Sequence, residues 1–519
     1  MAFRTNDSQQ LSLNSSLLGL TKRETKIIHK TWAECFNKDI FPNINEENFS
    51  VLYSENAATR PSNPINVVFG LLLIKEMFSL SDQEAFESIL YDTRFQLALH
   101  TDSLEEQPIS KNTLSNFRCL LYNHFEKTGV DLVHREVTSL GSCFVKLSKM
   151  VDHTLRMDST MISSSCRRLT RLEIIFNCIE RLIKKIHKIV PDILDDRFKL
   201  YLEKGHRNDT IYRCNEQSID EKMTMLVYDA VKLKELCKTY EMITDTEDYQ
   251  LFIRMFNDQT KIIDDKVTIK DNNEILSTSL QNPTDPDATY RNKSGKNHTG
   301  YTGNIVETID EGKAIITDYD LQPNIHSDQA YAKEVLVSME GQEDDINLIV
   351  DGGYYSFDNK QLAETIHVEL IPTALVGRSI GKKNYLGFDI DEYEKVVNKC
   401  PAGNRPISSL FENGEYKARF NNTHCTGCPF ANDCPVKRQK KANLLQVSEK
   451  TLSTQKQAAK MKNKDYVKIV NKRAGIEGTN SALKRSYGLN YMPIRGLVRS
   501  KIWFGLKLGA LNCKRLANS

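Results

Sequence analysis

Along the first 150 residues apolar positions recur at three- and four-residue intervals. Ile27, Ile28, Trp32 and Cys35 do so within TKRETKIIHKTWAECF, so residues 1 to about 60 read as a short helical lead-in. RPSNP at 60–64 breaks it. Three helices are then predicted, at 67–78, 81–89 and 111–127. The third sets Leu114, Phe117, Leu120 and Leu121 against a polar face with Lys111, Asn112, Asn116 and Arg118. Such a trio is either a DNA-binding module or a small structural domain. The period then changes to two. Leu155 and Met157 alternate with Thr154, Arg156 and Asp158, which predicts a strand ending on an acid. From 169 to about 256 the pattern is helical and charged again. Period two returns at 300–308 and 314–320, around a turn at 310–312. A helix at 327–339 follows. The apolar run Ile346–Val350 reads as a buried strand and stops at Asp351. A strand at 367–374, a loop-rich stretch at 378–440 and long helices complete the chain.

This pattern predicts a mixed α/β protein. A helical domain covers 1–145, and an α/β core covers 146–377 with a helical insert at about 165–280. A cysteine-bearing insert occupies 378–440, and a basic helical part carries 441–519. The 519 residues suffice for two to four domains, and 40% hydrophobic with 27% charged residues is a globular balance. The net charge of +2 hides an asymmetry. Residues 436–519 hold 20 Lys or Arg against 3 Asp or Glu, whereas the preceding 435 hold 50 against 65. A basic end on an acidic body points to a polyanionic partner there, or else to a solvated helix pair. Residues 1–14 lack the features of a secretion signal, and no apolar run approaches a membrane span. A cytoplasmic location with no membrane partner is therefore expected. Eight of the 12 cysteines are scattered and read as reduced thiols.

Candidate chemistry concentrates in RAGIEGTNSALK, residues 473–484. On a helix, Arg473, Glu477, Asn480 and Lys484 fall within about 60° of one another. Ile469, Ile476 and Leu483 form an apolar stripe beside them. An exposed face with an i,i+4 ion pair accounts for this at a few tenths of a kcal/mol. Gly475 and Gly478, however, each cost a helix about 1 kcal/mol, which points to something approaching the backbone. Two more acids, Asp158 and Asp351, are expected at the carboxyl ends of strands, where ligands of α/β sheets converge. With Glu477 they make three hard oxygen donors suited to two Mg²⁺ (or Mn²⁺) ions. A strand-end turn or a capping role explains each Asp equally well. Cys400, Cys425, Cys428 and Cys434 form a second set, Cys-x24-Cys-x2-Cys-x5-Cys. Four thiolates so grouped suit a structural Zn²⁺; an iron–sulfur cluster or plain reduced thiols are the alternatives. His424 beside them reads as a surface residue.

These residues carry a resemblance. Arg473, Glu477 and Lys484 match the Arg-x3-Glu-x6-Lys signature of cut-and-paste DDE transposases of bacterial insertion sequences. The family's preceding Tyr falls on Val470, with Tyr466 one turn earlier. RPSNP, LSDQEAFESILYD and TLSNFR resemble the family's N-terminal domain, and RMDST its first-Asp strand. NPTDPDATYRNKSGKNHTGYTGNIVET, NIHSD and DGGYYS resemble the segments leading to its second Asp. IEGTNSALKRSYGLNYMPIRGL resembles its Glu helix. The resemblance runs from about residue 60 to the end. It implies an RNase H-like catalytic core in which Asp158, Asp351 and Glu477 are catalytic metal ligands. It implies that Arg473 and Lys484 contact DNA phosphates, with Asn480 and Arg485 as further DNA contacts. The implied reaction is hydrolysis at transposon ends, then attack of a 3′-hydroxyl on target DNA. The implied partners are terminal inverted repeats and target DNA, bound by a homodimer in the nucleoid-associated cytoplasm. A metal-dependent nuclease of the same fold without strand transfer, and a non-catalytic DNA-binding relative, are the rival readings.

Overall fold

Residues Thr154–Ser163 form strand β1, twice the expected length. The computed structural model describes residues 1–6, 15–56, 58–101, 109–151, 153–212, 216–293, 295–342, 344–377 and 383–518. Asp158 therefore lies within a strand and not at its end, which corrects the expectation. The cause is visible downstream: Thr160 and Ile162 are buried and β-branched, so strand-forming residues continue past the acid. The stretch read for a secretion signal and the expected start of the cysteine insert fall partly on 7–14 and 378–382, outside the described residues.

The chain divides into two units. The first comprises residues 1–152, 158–327 and 478–519; the second comprises 153–157 and 328–477. In the first unit the expected helices occur as Ile65–Met77, Asp82–Tyr91 and Thr113–Thr128. Ser81 and Glu84 form a reciprocal capping box at the second of these. A further helix, Leu132–Leu147, starts where the Asp131 side chain accepts from the Val133 and His134 amides. The C-terminal helix Leu497–Ala517 is apolar nearly all round and is buried in the same core with Leu73, Val137 and Phe144. Its cations turn inward: Lys507 meets Glu76 at 2.7 Å, Lys501 meets Asp320 at 2.7 Å, and Arg515 meets Glu307 at 2.8 Å. Part of the basic tail is thus internal ion pairing.

The insert is helical, as expected. Helices Arg171–Ile189, Glu216–Cys237 and Glu247–Gln259 enclose a separate core around Ile179, Leu182 and Phe252, followed by the hairpin β2 (Thr260–Ile263) and β3 (Lys266–Ile269). Strands β4 (Thr289–Lys293), β5 (Lys296–Asp310) and β6 (Lys313–Pro323) then pair antiparallel. The β5–β6 turn holds Glu311 and Gly312 at φ 43° and 85°, as a two-residue hairpin of this twist requires.

In the second unit β7 (Ile346–Val350) runs parallel to the first residues of β1, and β8 (Val368–Pro372) runs parallel to β7. Helix Asp328–Ser338 precedes β7, and helix Phe357–Thr365 connects β7 to β8. β5 is hydrogen-bonded to β4 and β6, and β7 lies between the first residues of β1 and β8, so antiparallel and parallel pairings both occur in this mixed α/β fold. Beyond it come β9 (Asp389–Asp391) with β10 (Val396–Lys399), and a sheet of β11 (Ser408–Glu412), β12 (Glu415–Phe420) and β13 (Asn443–Ser448). The loop-rich expectation for 378–440 is corrected here. The segment has strands and its own apolar core of Phe388, Val397, Tyr416, Phe420, Leu445 and Val447. No helix of the described residues is long and apolar enough to cross a membrane.

Candidate active site

Asp351 follows β7 directly, as expected, and is exposed. Its Oδ1 accepts from the Gly352 amide at 2.8 Å and from Thr373 Oγ1 at 3.2 Å. Those two bonds orient the carboxylate and leave Oδ2 available. The Glu477 helix is Gly475–Ser486, entered through a 3₁₀ turn at Lys472–Ala474. Arg473 therefore lies before the α-helix, not on it, and its Nη1 stands 4.0 Å from Glu477 Oε1. The Glu477 side chain is 73% exposed. The expected close approach is real at Gly475, where an added Cβ would lie 2.1 Å from Arg156 Nη1. That guanidinium, buried on β1, donates to the Lys472 carbonyl at 2.8 Å. At Gly478 nothing lies within 4 Å, so the expectation fails there. Tyr466 donates to the Pro372 carbonyl at 2.8 Å and accepts from Gln457 at 2.7 Å, which ties its helix to the end of β8. Burial raises its phenol.

The unit boundary passes between Met157 and Asp158 and between Glu477 and Gly478, so the site residues are described in two groups. In the first unit, Asn480 Nδ2 donates to Asp158 Oδ2 at 3.1 Å. One turn on, Lys484 is half-buried. Burial lowers its ammonium, the charge of Lys293 lowers it further, and Asp158 pulls it back up. Arg485 is exposed. A buried cluster fixes this end of the helix. Thr479 Oγ1 donates to Glu307 Oε1 at 2.6 Å, and Arg515 donates to both. Ile476 and Leu483 are fully buried, as their stripe predicts, while Ile469 is only half-buried.

All four candidate cysteines line one cavity of about 20 Å³ with Phe420, Phe430 and Val436. That is room for a single water-sized sphere. Burial raises the Cys434 thiol, and the sulfurs of Cys425, Cys428 and Cys400 raise it further, so all three lie within electrostatic reach of Cys434. Four thiols lining one small cavity are the donor type that a structural Zn²⁺ takes. The exposed Asp351 and Glu477 carboxylates suit a hard one. Among the described residues no three or more His, Cys, Asp or Glu side chains are arranged to hold a metal ion.

Sequence reasoning missed Arg156, the Glu307–Thr479–Arg515 cluster and the cations around Lys484. Arg156 carried a signal, since a charged residue at an inward position of a half-buried strand needs a partner.

Two family models match the chain: the transposase DDE domain over 399–517, and a transposase domain (DUF772) over 35–120. The first spans all four cysteines, Arg473, Glu477, Asn480, Lys484 and Arg485; Asp158 and Asp351 lie outside it. These two matched segments support a DDE transposase of the insertion-sequence type. No curated protein matches it. A solved structure, the cryo-EM structure of piggyBac transposase synaptic complex with hairpin DNA, is similar over 95% of this chain and 74% of that one, at 10% identity and a TM-score of 0.27.

Proposed function

We propose that this chain cuts DNA at the ends of an insertion sequence and joins those ends to target DNA, in a reaction that depends on Mg²⁺ or Mn²⁺. Asp158, Asp351 and Glu477 would hold the ions. Bound there, two divalent ions supply an activated nucleophile and charge stabilisation for the leaving oxygen of a phosphodiester. The chain's own groups bind and orient. Arg473 offers a planar fork to a phosphate, and Lys484 a point charge. Arg485, exposed beside it, adds a further contact. Asn480 fixes one oxygen of Asp158. The bond from Asn480 to Asp158, 3.1 Å long, carries this reading, because it links the predicted polar face of the Glu477 helix to the first acid. Cys400, Cys425, Cys428 and Cys434 would hold a structural Zn²⁺ in the β-rich insert, and a homodimer would assemble on DNA in the cytoplasm.

The test is incubation of the purified chain with Mg²⁺, labelled DNA ending in the flanking terminal repeat, and a target plasmid. Joined products are expected. Nicking without joining would support a nuclease lacking strand transfer and refute the transfer step.

A further inference from the structure

The β4–β5 hairpin has one basic face. Its register sets Lys293 opposite Lys296 and Arg291 opposite His298. By the two-residue alternation these four share a side, while Asn292 and Asn297 take the other. That other side is neutral and satisfied among itself: Tyr290 Oη and Asn292 Nδ2 both donate to Asn297 Oδ1, at 2.7 and 2.6 Å. Like charges directly opposite each other destabilise a hairpin, so the arrangement runs against the strand pairing it sits on.

The basic face continues beyond the hairpin. Burial lowers the His298 imidazole, and the charges of Arg168, Lys293, Lys484 and Lys296 lower it further, so all four cations lie within electrostatic reach of His298. Among the described residues Arg168, Lys293, Lys296 and Lys484 form no ion pair with a carboxylate. Lys293 and Lys296 are exposed on a chain with 68 acids, whereas the buried Lys507 is paired with Glu76. The cluster is also rigidly based. Arg168 donates to the Asn297 carbonyl, and the Ser164 amide donates to the Thr299 carbonyl at 3.0 Å. Gly300 sits so close to β1 that a Cβ there would lie 2.3 Å from the Ile162 carbonyl oxygen. The hairpin is thereby held on the strand that carries Asp158. Lys484 lies within electrostatic reach of both Lys293 and Asp158.

We propose that Arg168, Lys293, Lys296 and His298 form, with Lys484, a cradle for the phosphate backbone of the DNA strand led to Asp158. The proposal rests on the transposase reading above and adds a contact surface to it. Uncompensated cations on a fixed hairpin are relieved when phosphates arrive, and each neutralised phosphate releases counterions.

The experiment is the double substitution Lys293→Gln/Lys296→Gln in the full chain, with Lys22→Gln/Lys26→Gln on the first helix as the control. Both target positions are exposed, and removing facing like charges leaves the fold intact; the unfolding midpoint checks this. Binding to end-bearing duplex is measured across a salt series. Each lost phosphate contact flattens the log–log slope by about 0.9, so the cradle predicts a loss of about 2 in the double variant, weaker binding, and no change in the control. The His298 imidazole, followed by NMR, should also titrate higher in the double variant. A wild-type chain that binds with a steep slope, alongside a double variant with the same slope, overturns the cradle and leaves the transposase reading standing. A wild-type chain with no salt-dependent DNA binding overturns both.

Discussion

Two glycines three residues apart in the Glu477 helix should respond to alanine with opposite sign. At Gly478 nothing occupies the space a Cβ would take, so Gly478→Ala should gain the helix-propensity difference, about 1 kcal/mol. At Gly475 the backbone, φ −62° and ψ −24°, suits alanine equally well. The obstacle is Arg156, whose Nη1 and Cζ would lie 2.1 and 2.9 Å from the new atom. That side chain is 8% exposed and cannot swing into solvent without giving up its 2.8 Å bond to the Lys472 carbonyl. Losing a hydrogen bond from a charged, buried donor costs about 1.5–3 kcal/mol, against the same gain of about 1. A net loss of about 0.5–2 kcal/mol follows, placed at the turn that leads into Glu477. Hydrogen exchange across Gly475–Ser486 reads it locally, and denaturant unfolding reads it globally. Protection should fall in Gly475→Ala and rise in Gly478→Ala. Cleavage should fall in the first by up to about 10²-fold, the cost of misplacing a reacting group by about 1 Å. Equal or greater protection in Gly475→Ala would refute the argument that Arg156 fixes this turn.

Two further outcomes follow from buried charge and thiol chemistry. Arg515→Met leaves the Glu307 carboxylate, whose side chain is fully buried, with Thr479 but without its cation, and should lower stability by about 3–5 kcal/mol in urea unfolding; an unchanged midpoint would contradict the pairing. Metal analysis of the purified chain should find one zinc, lost in Cys428→Ser together with protease resistance of the insert; no zinc, or iron with visible absorbance, would reject the assignment.

Much of this fold was legible where burial imposes a strict period. Ile346–Val350 is buried along its length and was read to the residue. The β5–β6 hairpin was read because its turn demands residues that tolerate positive φ. The misses have physical reasons too. Asp158 seemed to end its strand because an acid usually leaves the core, yet the strand runs on through the buried Thr160 and Ile162. The insert at 378–440 was read as loop-rich because its strands are short and charged, though Asn413-Gly414, at φ 52° and 73°, is a strong hairpin signal. Leu132–Leu147 had its cap and its apolar spacing in plain view. The polar face of the Glu477 helix was legible through Asn480 and Lys484, since helical geometry alone sets it. Arg156 and the Glu307 cluster were not, because they depend on contacts such as Arg156 to Lys472 and Glu307 to Thr479, between residues far apart in the chain.

The central claim is that Glu477 acts in catalysis and not in folding. Glu477→Gln keeps the volume and nearly the helix propensity, and it removes one negative charge from a side chain 73% exposed. Cleavage of end-bearing DNA in Mg²⁺, measured beside binding at matched salt, separates the two roles. The account predicts unchanged binding and a fall in cleavage of roughly 10³-fold or more, several kcal/mol of transition-state stabilisation. Cleavage at the wild-type rate, with only a few tenths of a kcal/mol lost from an Arg473–Glu477 pair, would contradict it.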